Sequence, residues 1–380
     1  SGNGGWHIRH WMVNAQLAIE LTGDRGPELS DITELNTTIS TAGRNVSVLV
    51  TDDNPSGGDA GAASVTISYQ LDSLTAAVNT VSLAMTSGTA TEGTWTGSIP
   101  GQEQGTTVYW SLTATDVNGN TTTSETFSYF IFLATAGNDL IFNNQDVLYG
   151  NMLYIPWIYF HWGWSESAYD LWDASYGNLT EEVVSNYDVI IELGNDPTYN
   201  ADDVIEDWWG PTKTYIVAGD EWLGTRYGWS DTTTIPDGDV AREILGIETY
   251  YSDINGTGSA VSRFNPISGD DVVDPLYDFI DSVSGVLNYD PNYDPGHTNW
   301  LDGVDTVAGY NVAMTAYAGI LNEDGSPADS TEYNVMIYSN NNGKSAFLAF
   351  DPVSLYVATD DNDHQYWVGA HDYQGYNVSP

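Results

Sequence analysis

Between residues 28 and 133 apolar and polar residues alternate with a period of two, and after residue 138 they cease to do so. This switch limits the fold more than any other feature. A period of two puts one side of a strand on a core and the other in water. Residues 45–51, 64–69, 94–100, 107–114 and 127–132 follow it. Turn signals fall between them: Asp52-Asp53-Asn54-Pro55, Ser87-Gly88, Pro100-Gly101 and Asn118-Gly119. Roughly seven short strands in about 100 residues is the spacing of an antiparallel β-sandwich.

From residue 138 short unbroken apolar runs take over. Residues 140–142, 187–193, 214–219 and 345–350 suit strands buried on both faces. Residues 202–209 and 239–246 read as helices: each opens on acids and stops at a glycine, as caps and the helix dipole prefer. The expected fold class is therefore multidomain, β followed by α/β. A sandwich occupies 27–135 and an α/β domain 136–380. Residues 1–26 stand apart, as an N-terminal arm or the remnant of an upstream domain. They hold Trp6, His7, Arg9, His10 and Trp11, a set suited to assembly contacts. The opening Ser1-Gly2-Asn3-Gly4-Gly5 reads as a processed form or a fragment.

Charge narrows the function. Eight Lys and Arg against 53 Asp and Glu leave a formal net charge of -45. Such a chain repels phosphate backbones and anionic lipid, so nucleic acid is not an expected partner. No apolar run approaches the length of a membrane span, so membrane insertion is not expected either. Aromatic residues make up 13% of the chain, which separates it from acidic disordered proteins. There is no cysteine, which excludes disulfides, thiolate nucleophiles and zinc–thiolate sites. The acid surplus suits plain solubility, or adaptation to salt or calcium.

The strand segments carry a resemblance. Ser64-Val65-Thr66-Ile67-Ser68-Tyr69, Ser98-Ile99-Pro100-Gly101-Gln102 and the stretch from Thr107 to Asn120 resemble the immunoglobulin-like modules of large secreted bacterial proteins. Tyr169-Asp170-Leu171-Trp172-Asp173, Asn186-Tyr187-Asp188-Val189-Ile190-Ile191, Thr214 to Asp220 and Gly343 to Pro352 resemble the class I glutamine-amidotransferase-like domain, a flavodoxin-like fold. The resemblance implies a spacer or adhesive module followed by an α/β module. Catalytic members of that family carry a cysteine on the turn after the strand ending at Gly219. Asp220 and Glu221 stand there instead, at a degenerate active-site position, and amidotransferase chemistry cannot run.

Other candidates follow from residue chemistry. Asp220 and Glu221 suit acid–base work or a cation, or are solvated acids on a dead turn. Asp116, Asn118 and Asn120 place oxygens on alternate residues, as a calcium loop or a plain β-turn does. Asp52, Asp53 and Asp59 form a second acidic loop that is a candidate for calcium. Asn36, Asn45, Asn120, Asn178, Asn255 and Asn377 head glycosylation sequons. The six histidines show no metal or triad spacing. Aromatic clusters at 154–164, 208–209, 227–229, 250–251, 289–293 and 366–376 suit interfaces first and carbohydrate stacking second. Together these features point to a non-catalytic secreted or cell-surface structural subunit that binds itself, in a filament or surface layer. The alternative is an extracellular hydrolase, or a carbohydrate-binding accessory module, working at the Asp220/Glu221 edge.

Overall fold

The computed structural model describes residues 25–52, 61–144, 169–194, 197–219, 221–229, 232–254, 262–270, 272–273, 278, 285–289, 301–318, 330–350, 355–359 and 365–367. Trp6, His7, Arg9, His10, Trp11, Asp53, Asp59, Asp220, Asn255 and Asn377 lie outside the described residues, as do all six histidines and the aromatic run at 154–164. The chain divides into two compact units, Ser1–Leu133 and Ala134–Pro380.

The first unit holds β1 (Glu28–Ser30), β2 (Arg44–Thr51), β3 (Ala62–Leu71), β4 (Asn79–Ser82), β5 (Ala84–Gly88), β6 (Glu92–Ile99), β7 (Thr107–Asp116), β8 (Thr121–Thr123) and β9 (Phe127–Phe130). They form two antiparallel sheets, ordered β1-β2-β6-β5 and β4-β3-β7-β8, with β9 also on β7. All five alternating segments of the sequence are strands here. Their inward residues make the core: Val46, Val48 and Val50 from β2, Val65 and Ile67 from β3, Val108, Trp110, Leu112 and Ala114 from β7. Trp110 is buried and its ring lies 4.7 Å from that of Phe127. The short strands β1, β4, β5 and β8 left no alternation to read, because edge strands bury little. Every residue of β5 is exposed.

The second unit begins with β10 (Asp139–Asn143), β11 (Tyr169–Asp173), α1 (Glu181–Val184), β12 (Val189–Leu193), α2 (Asp202–Trp208), β13 (Thr214–Ala218) and α3 (Trp222–Tyr227). Next come β14 (Thr233–Thr234), α4 (Val240–Glu243), β15 (Ile247–Tyr251), β16 (Ser262–Pro266), β17 (Gly285–Tyr289) and β18 (Gly303–Thr306). It closes with β19 (Asn311–Tyr317), β20 (Glu332–Ser339), β21 (Lys344–Leu348), β22 (Leu355–Thr359) and β23 (Gln365–Trp367). Five strands run parallel in the order β11-β10-β12-β13-β21. From β20 the same sheet turns antiparallel and continues through β19, β16, β17, β22 and β23, with β18, β15 and β14 branching from β20.

The expected β-rich, multidomain organisation is present. Of the fourteen strands in this sheet, five run parallel and the other nine pair antiparallel, so the second unit is mostly β where an α/β domain was expected. The described helices are short, and α2, at seven residues, is the longest. The predicted helix at 239–246 is a single turn, Val240–Glu243, capped by Asp239, whose side chain accepts from the Ala241 N–H at 2.8 Å. The parallel strands are buried on both faces, as their unbroken apolar runs required. Ile141, Ile191, Leu193 and Ala218 pack on one side. Leu140, Phe142, Ile190, Tyr215, Val217 and Phe347, the alternate residues, are buried as well. A further core of Phe264, Leu287, Leu301, Met314, Val335 and Phe350 underlies the antiparallel part.

Candidate functional site

The parallel strands end in one row. The Asn144 N–H donates to Leu193 O at 3.0 Å, Gly194 N–H to Ala218 O at 2.9 Å, and Gly219 N–H to Leu348 O at 3.1 Å. The strand order reverses between β10 and β12, and open parallel sheets bind ligands outside the carboxyl ends of their strands at such a point. Among the described residues, side chains of the protein itself pack at this end of β12 and β13. Trp222, the first residue of α3, is fully buried, with its ring 5.8 Å from that of Phe347. It presses on Gly194, where an added Cβ would lie 2.3 Å from Trp222 Cδ1.

Beneath the indole sits Glu192, fully buried in the middle of an apolar strand. Its Oε1 accepts from Trp222 Nε1 and from Asn144 Nδ2, each at 2.8 Å, and its Oε2 accepts from the Tyr215 hydroxyl at 2.5 Å. Burial first, and Glu192 second, push the Tyr215 hydroxyl well above its ordinary pKa. Asn144 is itself held on both sides, accepting from the Tyr199 N–H at 2.9 Å and donating to Tyr199 O at 2.8 Å. The Arg226 guanidinium lies 3.7 Å over the Trp222 ring and grips Asp202 through Nη1 at 2.5 and 2.6 Å. Burial works against the arginine's charge, but Glu192 and Asp202 outweigh it and raise its pKa. A carboxylate inside a strand is expensive unless it is hydrogen-bonded, and this one accepts three hydrogen bonds near the Arg226 charge. The single charge in Val189-Ile190-Ile191-Glu192-Leu193 was the sequence signal for it.

A second polar group lies at the start of α3. Glu221 is buried, and its Oε2 accepts from Trp229 Nε1 at 2.5 Å. The β15–β18 pairing and an Ile254 N–H to Leu301 O bond of 2.7 Å bring Asp302 beside the loop after β15. Asp302 is buried and accepts from the Asp253 N–H at 3.1 Å through Oδ1. The Tyr250 hydroxyl donates to its carboxyl, and the Ser252 hydroxyl lies between Tyr250 and Asp253. Burial, and next the charge of Glu221, hold the Asp302 carboxyl well above the usual carboxylate range. Tyr250 is also raised, by burial and then by Asp302. The sequence reading marked Glu221, and Tyr250 only as part of an aromatic cluster, but missed Asp302, which lies far from both along the chain.

The remaining candidates fall as follows. Asp116 is buried at the end of β7 and accepts from the Asn118 and Asn120 N–H groups and from Asn120 Nδ2, each at 2.8 Å. Burial opposes its charge, but those bonds prevail and lower its pKa. This is a turn closed by its own aspartate. Asp52 is buried and accepts from the Gly61 N–H at 2.7 Å. Among the described residues, no three His, Asp or Glu side chains group as metal ligands. Asn36 and Asn45 are exposed. Asn120 Nδ2 is bonded to Asp116, and Asn178 Nδ2 donates to Asn200 O at 2.8 Å. The aromatic clusters are more buried than expected: Trp208 and Tyr250 are inside, while Trp229 is exposed at 62%. With no histidine among the described residues, no Ser–His pair can be placed there.

No family model matches the sequence, and no curated protein matches it. Solved structures match only partially. A cycloalternan-forming enzyme from Listeria monocytogenes, bound to a pentasaccharide substrate, is 15% identical over 27% of this chain and 9% of its own, with a TM-score of 0.21. A polysaccharide deacetylase from Bacillus cereus is 12% identical over 52% of this chain and 61% of its own, at 0.20. A purple acid phosphatase from yellow lupin is 11% identical over 52% and 35%, at 0.19. The chain thus spans under a tenth of the Listeria enzyme's length. Scores this low carry no argument about fold or function. No described helix is long and apolar enough to cross a membrane.

Proposed function

We propose that this chain is a non-catalytic structural subunit of a secreted or cell-surface assembly. An immunoglobulin-like module is followed by a flavodoxin-like, amidotransferase-like module that has lost its chemistry. The strand orders support the two module classes. The first unit's β1-β2-β6-β5 and β4-β3-β7-β8 sheets follow the two-sheet order of immunoglobulin folds. The second unit's parallel strands follow the flavodoxin-like order 2-1-3-4-5. One observation carries the non-catalytic reading: the buried acid at this end of β12 and β13, Glu192, has its oxygens taken up by Trp222, Asn144 and Tyr215.

Self-association is supported by the sandwich's open side. β4 and β5 are edge strands of their sheets, and Met85 on β5 is exposed, as are Leu74 and Val78 in the turn before β4. Such edges invite strand addition from another chain. Residues 1–26 carry Arg9 and Arg25 against Glu20 and Asp24, with His7 and His10 besides, so this segment is close to neutral and an acidic neighbour does not repel it. Head-to-tail contacts of that kind give open filaments.

The test is negative-stain microscopy of the full chain beside a truncation starting at Glu28. Filaments or sheets from the full chain and dispersed, folded monomers from the truncation are expected. Monomers from both, at low and high salt, overturn the assembly reading. A second reading, an extracellular hydrolase or carbohydrate-binding accessory, is favoured by the neighbouring buried carboxylates of Glu221 and Asp302. Polysaccharide turnover lost on Glu221→Gln would establish it in place of the first.

A further inference from the structure

The sandwich is open along the side where β1 ends one sheet and β8 ends the other. Between these two edges runs a groove of about 370 Å³, within the range of roughly 300–1,000 Å³ that holds a bound group. Its apolar wall is Leu29, Ile32 and Phe127, half-buried side chains that already pack on the sandwich core. Glu28 and Glu125 stand exposed beside them. Among the described residues no further strand pairs with β1 or β8, so each offers an edge for strand addition.

The chain itself carries the complement. Val13, Ala15, Leu17, Ile19 and Leu21 are apolar, and Asn14, Gln16 and Glu20 between them are polar. This is the period of a strand with one apolar face. The one full charge ahead of Glu20 is that of Arg9, opposite in sign to Glu28 and Glu125. The chain also reaches the sandwich at this groove. Pro27 is buried, and a Cβ on Gly26 would lie 2.9 Å from the Thr121 carbonyl carbon, at the start of β8.

We propose that residues 13–21 of a second copy seat as an added strand in this groove, with Leu17, Ile19 and Leu21 turned toward Leu29, Ile32 and Phe127. Backbone bonds to an open edge supply affinity, and the alternate side chains supply the fit. The inference rests on the assembly proposed above and names its acceptor, the β1–β8 side rather than the β4–β5 side.

The truncation starting at Glu28 keeps the groove and lacks the segment. A fluorescent peptide of residues 8–22 is expected to bind it, and the same peptide with Leu17→Asp and Ile19→Asp should bind at least about tenfold more weakly, since two apolar anchors are lost. In the full chain, those two substitutions together, and separately Ile32→Glu, should abolish filaments under the microscope. Equal binding of the two peptides overturns the proposal. Filaments that survive Ile32→Glu but vanish in Met85→Glu put the segment on the β5 edge, which overturns the groove and leaves assembly standing. A full chain that stays monomeric and refuses the peptide holds its own segment in the groove, which overturns the second-copy occupant and the assembly reading together. Should Ile32→Glu fail to fold, the paired substitution in the segment decides, because it leaves the sandwich untouched: unchanged filaments overturn the proposal.

Discussion

Glu192 shows how much one residue decides. Its two oxygens take three donors, from Trp222, Asn144 and Tyr215, and its charge faces Arg226. Glu192→Leu leaves those donors buried without an acceptor and the arginine short of a counter-charge. Each buried donor left unsatisfied costs about 1–3 kcal/mol, so urea unfolding of the variant should show a loss of at least about 3 kcal/mol. A loss under about 1 kcal/mol, the worth of one ordinary hydrogen bond, would mean that the network is incidental. Asp302 acts in the opposite sense. Its folded pKa is raised, so stability linked to its proton is complete below the unfolded value, about 3.9. That stability is lost as pH rises through the raised folded value. Asp302→Asn should therefore remove a fall in stability above about pH 4, and the variant should exceed wild type at neutral pH. Parallel pH profiles for the two proteins would refute the assignment.

At the scale of elements, chain reversals are as selective as cores. Gly246 follows the single turn α4 at φ 81°, and a Cβ there would lie 2.1 Å from Tyr310 Cδ1. Tyr310 is held in place by its hydroxyl, which donates to Glu243 O at 2.9 Å. Gly228, which ends α3, has a similar φ of 84° but nothing within 4 Å of a Cβ. Alanine at Gly228 should cost about 1 kcal/mol, the backbone penalty alone. Alanine at Gly246 should cost at least about 2 kcal/mol more, because the ring must move. Denaturant titration of the two variants separates steric from conformational cost, and equal losses would show that the ring yields freely. The elements of the sandwich differ in legibility for a related reason. β2, β3, β6 and β7 alternate because one face is buried, whereas β5 is exposed throughout and carries no pattern to read.

For the whole molecule the dominant quantity is the charge of -45. Self-repulsion of that size weakens any compact state, and salt shortens its range from about 10 Å at 0.1 M to about 3 Å at 1 M. The unfolding midpoint should rise over that interval of sodium chloride, and a flat response would remove charge repulsion from the account. The sandwich has its own core from Val46 to Ile131. A fragment of residues 27–133 should fold alone with a cooperative transition. A fragment that melts without cooperativity would mean that this core needs the rest of the chain.

Taken alone, the amino-acid order marked a change of hydrophobic period near residue 135, because burial on one face or on both writes a different period. It determined as well that thiol chemistry is absent, because there is no cysteine. It did not reveal that the sheet after β21 turns antiparallel, since strand direction is a matter of which distant segments pair. Nor did it reveal that Trp222 donates to Glu192, or that Asp302 meets Tyr250 and Ser252. Those contacts join residues tens of positions apart, and a residue's chemistry depends on its buried neighbours, which only the tertiary structure chooses.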